Sequence, residues 1–226
     1  MWKNVINLFK KDNLYQQALQ QTYAMLDADW LMYEASVESL RRSDTGEIQV
    51  DINARDKEIN AAERDVRKKV LTHLAISGTE LTSGLVLVSI VIDIERIGDY
   101  TKNIHDLALA HPGRLHGGSL EGRLQEIEAG VTQRFREMIQ AFKTNDEEMA
   151  RAIMASYKQE LSGACEALVK AIVSGEVTDL PSADAAALAL YARFLKRIAA
   201  HSRNIISSVV NPFPRLGYQE RPSEAE

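Results

Sequence analysis

The chain has 226 residues, with 27 Lys and Arg against 32 Asp and Glu, a net charge of −5. Hydrophobic residues make up 45% and charged residues 26%, with 12 Gly and 5 Pro, which is the balance of a soluble globular protein and excludes collagen-like and disordered classes. The mild acidity argues against a nucleic-acid binder, which concentrates basic residues on one surface, and the single cysteine, Cys165, rules out an internal disulfide or a cysteine-cluster metal site.

In chain order, Trp2, Val5, Ile6 and Phe9 fall on one helical side with Lys3, Lys10 and Lys11 beside it. The expected role of this amphipathic segment is packing on the bundle or on a second subunit, with peripheral contact to an anionic membrane surface as the alternative. It has no continuous apolar core of a secretory signal. The most apolar window, Leu85 to Ile94, is broken by Ser89 and Asp93 and falls well short of the roughly 20 residues that cross a bilayer. A soluble, cytoplasmic protein is expected.

Leu14, Ala18, Met25, Tyr33, Val37 and Leu40 recur at helical spacing until Ser43-Asp44-Thr45-Gly46 supplies a stop. Ile52, Ile59, Val66, Val70 and Leu74 mark a second stripe, closed by Ser77-Gly78. Thr79 or Thr82 is placed to cap a third helix running to about Ala110, after which His111-Pro112-Gly113 and Gly117-Gly118-Ser119 read as a linker. A helix from about Leu120 to Phe142 follows. Another starts at Asn145 or Asp146 and runs to about Gly175, and a last one begins after Pro181-Ser182 and stops before Asn211-Pro212. No alternating β pattern appears. Six helices of roughly 25 to 32 residues, about 40 to 50 Å each, joined by short loops, must lie side by side. The fold class is all-α, two tandem three-helix bundles of long antiparallel helices. The boundaries are an N-terminal segment 1–11, a first bundle 12–111, a linker 112–119, a second bundle 120–212 and a polar tail 213–226.

The halves echo each other in residues. Ile94-Glu-Arg-Ile-Gly-Asp-Tyr-Thr-Lys-Asn-Ile104 can be set against Leu195-Lys-Arg-Ile-Ala-Ala-His-Ser-Arg-Asn-Ile205, at the same place in each triplet of helices. Within the first copy, Glu95 and Asp99 are four apart and share a helix face, as do Asp56 and Asn60 on the preceding helix. If those antiparallel faces meet, Asp56, Asn60, Glu95 and Asp99 form one oxygen-rich patch suited to a hard cation. The plainer alternative is a solvated acidic face paired with Arg64, Arg96 and Lys102. In the second copy Lys196 and Ala200 replace Glu95 and Asp99, and Ser156 and Glu160 stand near the places of Asp56 and Asn60, so no metal cluster is expected there. Lys196, Arg197 and Arg203 read as an exposed basic face or, alternatively, a patch for an anion or acidic partner.

Gly98 inside a helix implies close packing that a larger side chain would push apart. Asn103 and Asn204 are expected to form buried interhelical hydrogen bonds. His73, His105, His111, His116 and His201 make no metal-spaced pair and read as surface or loop residues, and Cys165 reads as a buried small hydrophobe. No phosphate-binding glycine loop, dinucleotide fingerprint or nucleophile elbow is present, so no catalytic residue is assigned.

The segment Ile94 to Ile104 resembles the signature on the last helix of a PhoU domain, and Asp56-Lys-Glu-Ile-Asn60-Ala-Ala-Glu63 resembles that family's middle-helix signature. The resemblance spans roughly residues 12 to 211, with a degenerate second copy. It implies a regulator of phosphate homeostasis, not an enzyme. Such a regulator damps phosphate uptake and starvation signalling through contacts with a phosphate ABC transporter on the cytoplasmic face and with a sensor histidine kinase. It also implies iron or zinc clusters at paired acid motifs, which here means a divalent or ferric cluster (iron, zinc, magnesium or manganese) in the first half only. A homodimer is expected. The alternatives are an accessory regulator of a sodium–phosphate symporter or other ion transporter, and a metal-dependent helical-bundle enzyme. The latter lacks the inward Glu-x-x-His pairs of di-iron bundles.

Overall fold

The computed structural model describes residues 14–77 and 81–219. The N-terminal segment 1–11 and Thr79 fall outside these residues, as does the end of the polar tail. Seven α-helices are found among the described residues: α1 Leu14–Arg42, α2 Ile52–Ser77, α3 Leu81–Ala110, α4 Glu121–Thr144, α5 Glu147–Ser156, α6 Gly163–Val173 and α7 Ser182–Val210. None is long and apolar enough to cross a membrane.

The first triplet follows from its stripes. Ala18, Met25, Leu26, Met32, Tyr33 and Leu40 of α1 are buried at helical spacing, and Arg41 and Arg42 close the last turn, where cations complement the helix dipole. Gly46 turns the chain with φ +72, and a β-carbon there would lie 2.8 Å from the carbonyl oxygen of Ala108. Asp51 caps α2, its Oδ1 accepting from the amide of Ala54 at 2.9 Å. Helix α3 buries Leu87, Ile90, Val91, Ile94, Ile97 and Ile104, and packs on α1 and α2 within its own half and on α7 of the other.

The second triplet repeats this plan with one difference. Asn145 ends α4 in the left-handed conformation, at φ +52, and Asp146 caps α5 by accepting from Met149 N at 2.9 Å. The single helix expected from here to about Gly175 is instead α5 and α6 joined through a π-helical turn, Tyr157–Ser162. Its buried residues explain the turn. Ile153, Tyr157, Leu161 and Cys165 recur every four residues, a spacing that drifts about 40° per step around an α-helix. A wider turn brings the row back toward the core.

The halves meet along α3 against α7 and α1 against α4. The second seam is aromatic and ionic. Phe135 meets Trp30 and Tyr33 edge-on with centroids 5.5 and 5.6 Å apart, Trp30 and Tyr33 are tilted against each other at 5.9 Å, and Arg136 lies over the Trp30 ring at 4.9 Å. Arg41, largely buried, donates to the Leu115 carbonyl and to the Glu121 carboxylate, and its Nε donates to Glu128 Oε1 at 2.7 Å. The hydroxyl of the fully buried Tyr191 donates to the same Glu128 oxygen at 2.9 Å.

Candidate functional site

The acidic patch is built where α1, α2 and α3 touch. Helix α3 supplies Glu95 and Asp99 on either side of Gly98, α2 supplies Asp56, and α1 adds Asp29 in the register that the stripe otherwise fills with Met25, Leu26, Met32 and Tyr33. Asp29 is fully buried, and neither of its carboxylate oxygens has a hydrogen-bond partner. Its carboxyl is raised well above the usual range, first by burial and then by the charges of Glu95, Asp56 and Asp99. Glu95 is raised as well, by burial and by Asp99, with Arg96 opposing.

The outer side of the patch is paired. Lys102 Nζ lies 3.3 Å from Asp56 Oδ2, while Arg96 reaches Asp99 at 2.9 Å and Glu95 at 3.6 Å. Asn60 is half-buried and donates to the Asp56 carbonyl at 3.0 Å, so its NH₂ is turned to its own helix. Glu63, next along the same face, pairs with Arg67 at 2.7 Å. Three of the four acids and amides singled out from sequence thus surround Asp29 electrostatically, and Asn60 lies at the edge. Among the described residues no group of three or more His, Cys, Asp or Glu is arranged to hold a metal ion.

The close packing expected at Gly98 has a specific object. A β-carbon there would lie 2.9 Å from Asp29 Oδ1, whereas the next neighbour, Ile59 Cδ1, is at an ordinary 3.5 Å. The glycine makes room for a carboxylate, not for helix backbone. Asp29 itself was detectable in the sequence as an acid in an apolar register, a signal that spacing between charged residues does not reveal.

In the second half the corresponding ground is basic. Lys196 pairs with Glu166, and both line a cavity of about 270 Å³ with Cys165, Val169, Ala192 and Arg193. Lys196, Arg197 and Arg203 do not form an open basic face. Arg197 donates to the Tyr100 hydroxyl at 3.1 Å and lies 5.5 Å over its ring, and Arg203 donates to the Gly217 carbonyl at 2.6 Å and lies over Tyr157. Asn204 bonds across helices to Asp93 Oδ1 at 3.0 Å, as expected, but Asn103 is exposed. The surface reading fails for His73, His105 and His201, which are buried. His201 Nδ1 lies 2.6 Å from Asp93 across the α3–α7 seam, a partner 108 positions away that local sequence cannot show. Cys165 is buried as expected.

The PhoU domain model matches residues 22–108 and again 124–209. The chain belongs to the PhoU family. Its fold is that of solved PhoU structures. PhoU from Pseudomonas aeruginosa matches with a TM-score of 0.76 and 22% identity over 88% of this chain and 96% of that one. The phosphate transport system regulatory protein PhoU from Streptococcus pneumoniae matches with a TM-score of 0.74 and 19% identity over 87% of this chain and 93% of that one. No curated protein matches the chain. Both PhoU repeats contain the two helices that carry the acidic motifs in the first half, so the loss of Glu95 and Asp99 equivalents in the second is a change of residues on a retained scaffold.

Proposed function

We propose that the protein regulates phosphate homeostasis without catalysing a reaction, restraining phosphate uptake and starvation signalling by contact with the cytoplasmic face of a phosphate transporter and with a sensor histidine kinase. The observation that carries this reading is the tandem PhoU match over both halves. Long helices on short connections offer wide, rigid faces to partner helices. A pull-down of the full chain from phosphate-replete cells is expected to recover phosphate transporter subunits and a kinase. Recovery of neither, with phosphate uptake unchanged by deletion of the gene, overturns it.

The same reading assigns Asp56, Asn60, Glu95 and Asp99 to a cation site. Every donor offered is oxygen, the type a hard ion such as Mg²⁺, Mn²⁺ or ferric iron prefers, and the carboxylates would have to leave their present partners to gather on one. Lys102 and Arg96, which now neutralise the outer carboxylates, are partly exposed and free to swing into solvent. Protein purified without chelator is expected to hold metal that Glu95→Ala/Asp99→Ala loses. Equal metal content in the two proteins rejects the assignment.

A further inference from the structure

We propose that residues 1–11 fold back on the bundle as a short amphipathic helix and fill a cavity at the end of the seam between the two repeats, with Trp2, Val5, Ile6 and Phe9 turned inward. The segment then acts as a plug that touches both repeats at once.

The cavity supplies the first half of the argument. It has a volume of about 430 Å³ and lies where the starts of α1 and α3 meet the ends of α4 and α7. Tyr15, Leu19, Tyr23, Val86, Phe142 and Phe213 give it aromatic and aliphatic walls, and none of its lining side chains carries a charge. Asn145 and Ser208 add neutral polar groups, the kind a buried indole N–H needs as a partner. Protein interiors are close-packed, and walls that face an empty hollow forfeit the dispersion contacts an occupant would give them.

The chain supplies the second half. The described residues begin at Leu14, one position before Tyr15 in the cavity wall, so the thirteen residues ahead of it start at the rim. Lys10-Lys11-Asp12-Asn13 has the length of connection that joins two antiparallel helices, and Asp and Asn are residue types that turn a chain. Ahead of it, Trp2, Val5, Ile6 and Phe9 follow the i, i+3, i+4, i+7 spacing by which an amphipathic helix lies in a groove. From Trp2 to Phe9 such a helix is about 10 Å long, against about 12 Å of cavity wall from Tyr15 to Tyr23 along α1. Lys3, Lys10 and Lys11 stand at the flank and back of the apolar face, so docking leaves their charges in solvent. Those cations would also suit an anionic membrane surface, but a membrane gives no account of an uncharged cavity beside the point where the chain enters α1.

Trp2 and Trp30 are the two tryptophans of the chain, so in a Trp30→Phe protein the fluorescence reports on Trp2 alone. In buffer its emission is expected at the short wavelength of a buried indole, shielded from acrylamide and independent of protein concentration. Val86→Arg, which places a charge in the cavity wall, should shift that emission to the longer wavelength of a solvent-exposed indole and raise its quenching, with helical circular dichroism retained. Ser83→Arg, at an exposed position of the same wall, should do the same and serves as the second variant if Val86→Arg fails to fold. An exposed Trp2 in the Trp30→Phe protein overturns the proposal, as does a buried Trp2 that neither arginine disturbs. Burial that appears only as protein concentration rises overturns it in favour of a second copy of the chain. Burial that appears only on phosphatidylglycerol vesicles overturns it in favour of a membrane surface.

Discussion

The third helices of the two halves occupy equivalent places and carry opposite charge. Around Gly98, the buried Asp29 is unpartnered and feels the like charges of Glu95, Asp56 and Asp99. Around Ala199, Lys196 is neutralised by Glu166 from the neighbouring helix and Ala200 contributes nothing. A repeated scaffold thus keeps its packing while only the first copy places an unpaired carboxylate among like charges. Satisfied polar groups hold a fold together, whereas an unsatisfied cluster marks where the fold tolerates a cost for another purpose.

Exchanging the small residues breaks the comparison most directly. Gly98→Ala would gain about 1 kcal/mol of helix propensity in open space, but with Asp29 in the way it is expected to destabilise by about 1–3 kcal/mol. The reverse change, Ala199→Gly, should cost about 1 kcal/mol and no more. Urea unfolding of both variants measures the contrast, and a stabilising Gly98→Ala would show that the carboxylate is not held there.

Asp29→Asn sharpens it by pH. A carboxyl raised in the folded state lends stability at low pH that is lost as pH climbs from the unfolded value, about 4, through the folded one. Without metal, the asparagine variant should therefore match wild type in acid and become the more stable of the two as pH rises. Paired melts across that range check the sign.

Cys165 probes the second half alone. Burial pushes its thiol up to about 12, with Lys196 pulling the other way. The thiol should resist disulfide reagents at pH 8 until the protein unfolds. Because the unfolded chain releases this proton first, stability should decline between about pH 9 and pH 12, and Cys165→Ser should flatten that decline. The smallest effect is expected from Lys196→Ala. Its partner Glu166 is 65% exposed, so solvent screens the pair and the urea midpoint should barely move. A larger loss would mean that the basic half is as finely balanced as the acidic one.

Much of this was legible in the chain itself. The stripes from Ala18 to Leu40 and from Ile52 to Val70 gave helices because period and burial agree, and the repeat around Arg96 and Arg197 located the equivalent third helices. What escaped was non-local or against type. Asp29 sits in an apolar register, and its significance comes from Gly98, 69 residues on. His201 was misread because its partner, Asp93, lies in the other half. The π-helical turn escaped because apolar residues every four positions look like an ordinary helix over one or two turns and diverge only over three.

One consequence concerns how the two repeats can come apart. Glu128 serves Arg41 from one repeat and Tyr191 from the other through a single oxygen, while Trp30, Tyr33 and Phe135 interlock beside it. Drawing the two repeats apart would strand a guanidinium and lay bare three aromatic rings. The two PhoU repeats are therefore mutually dependent, and the molecule should melt in one transition, not two.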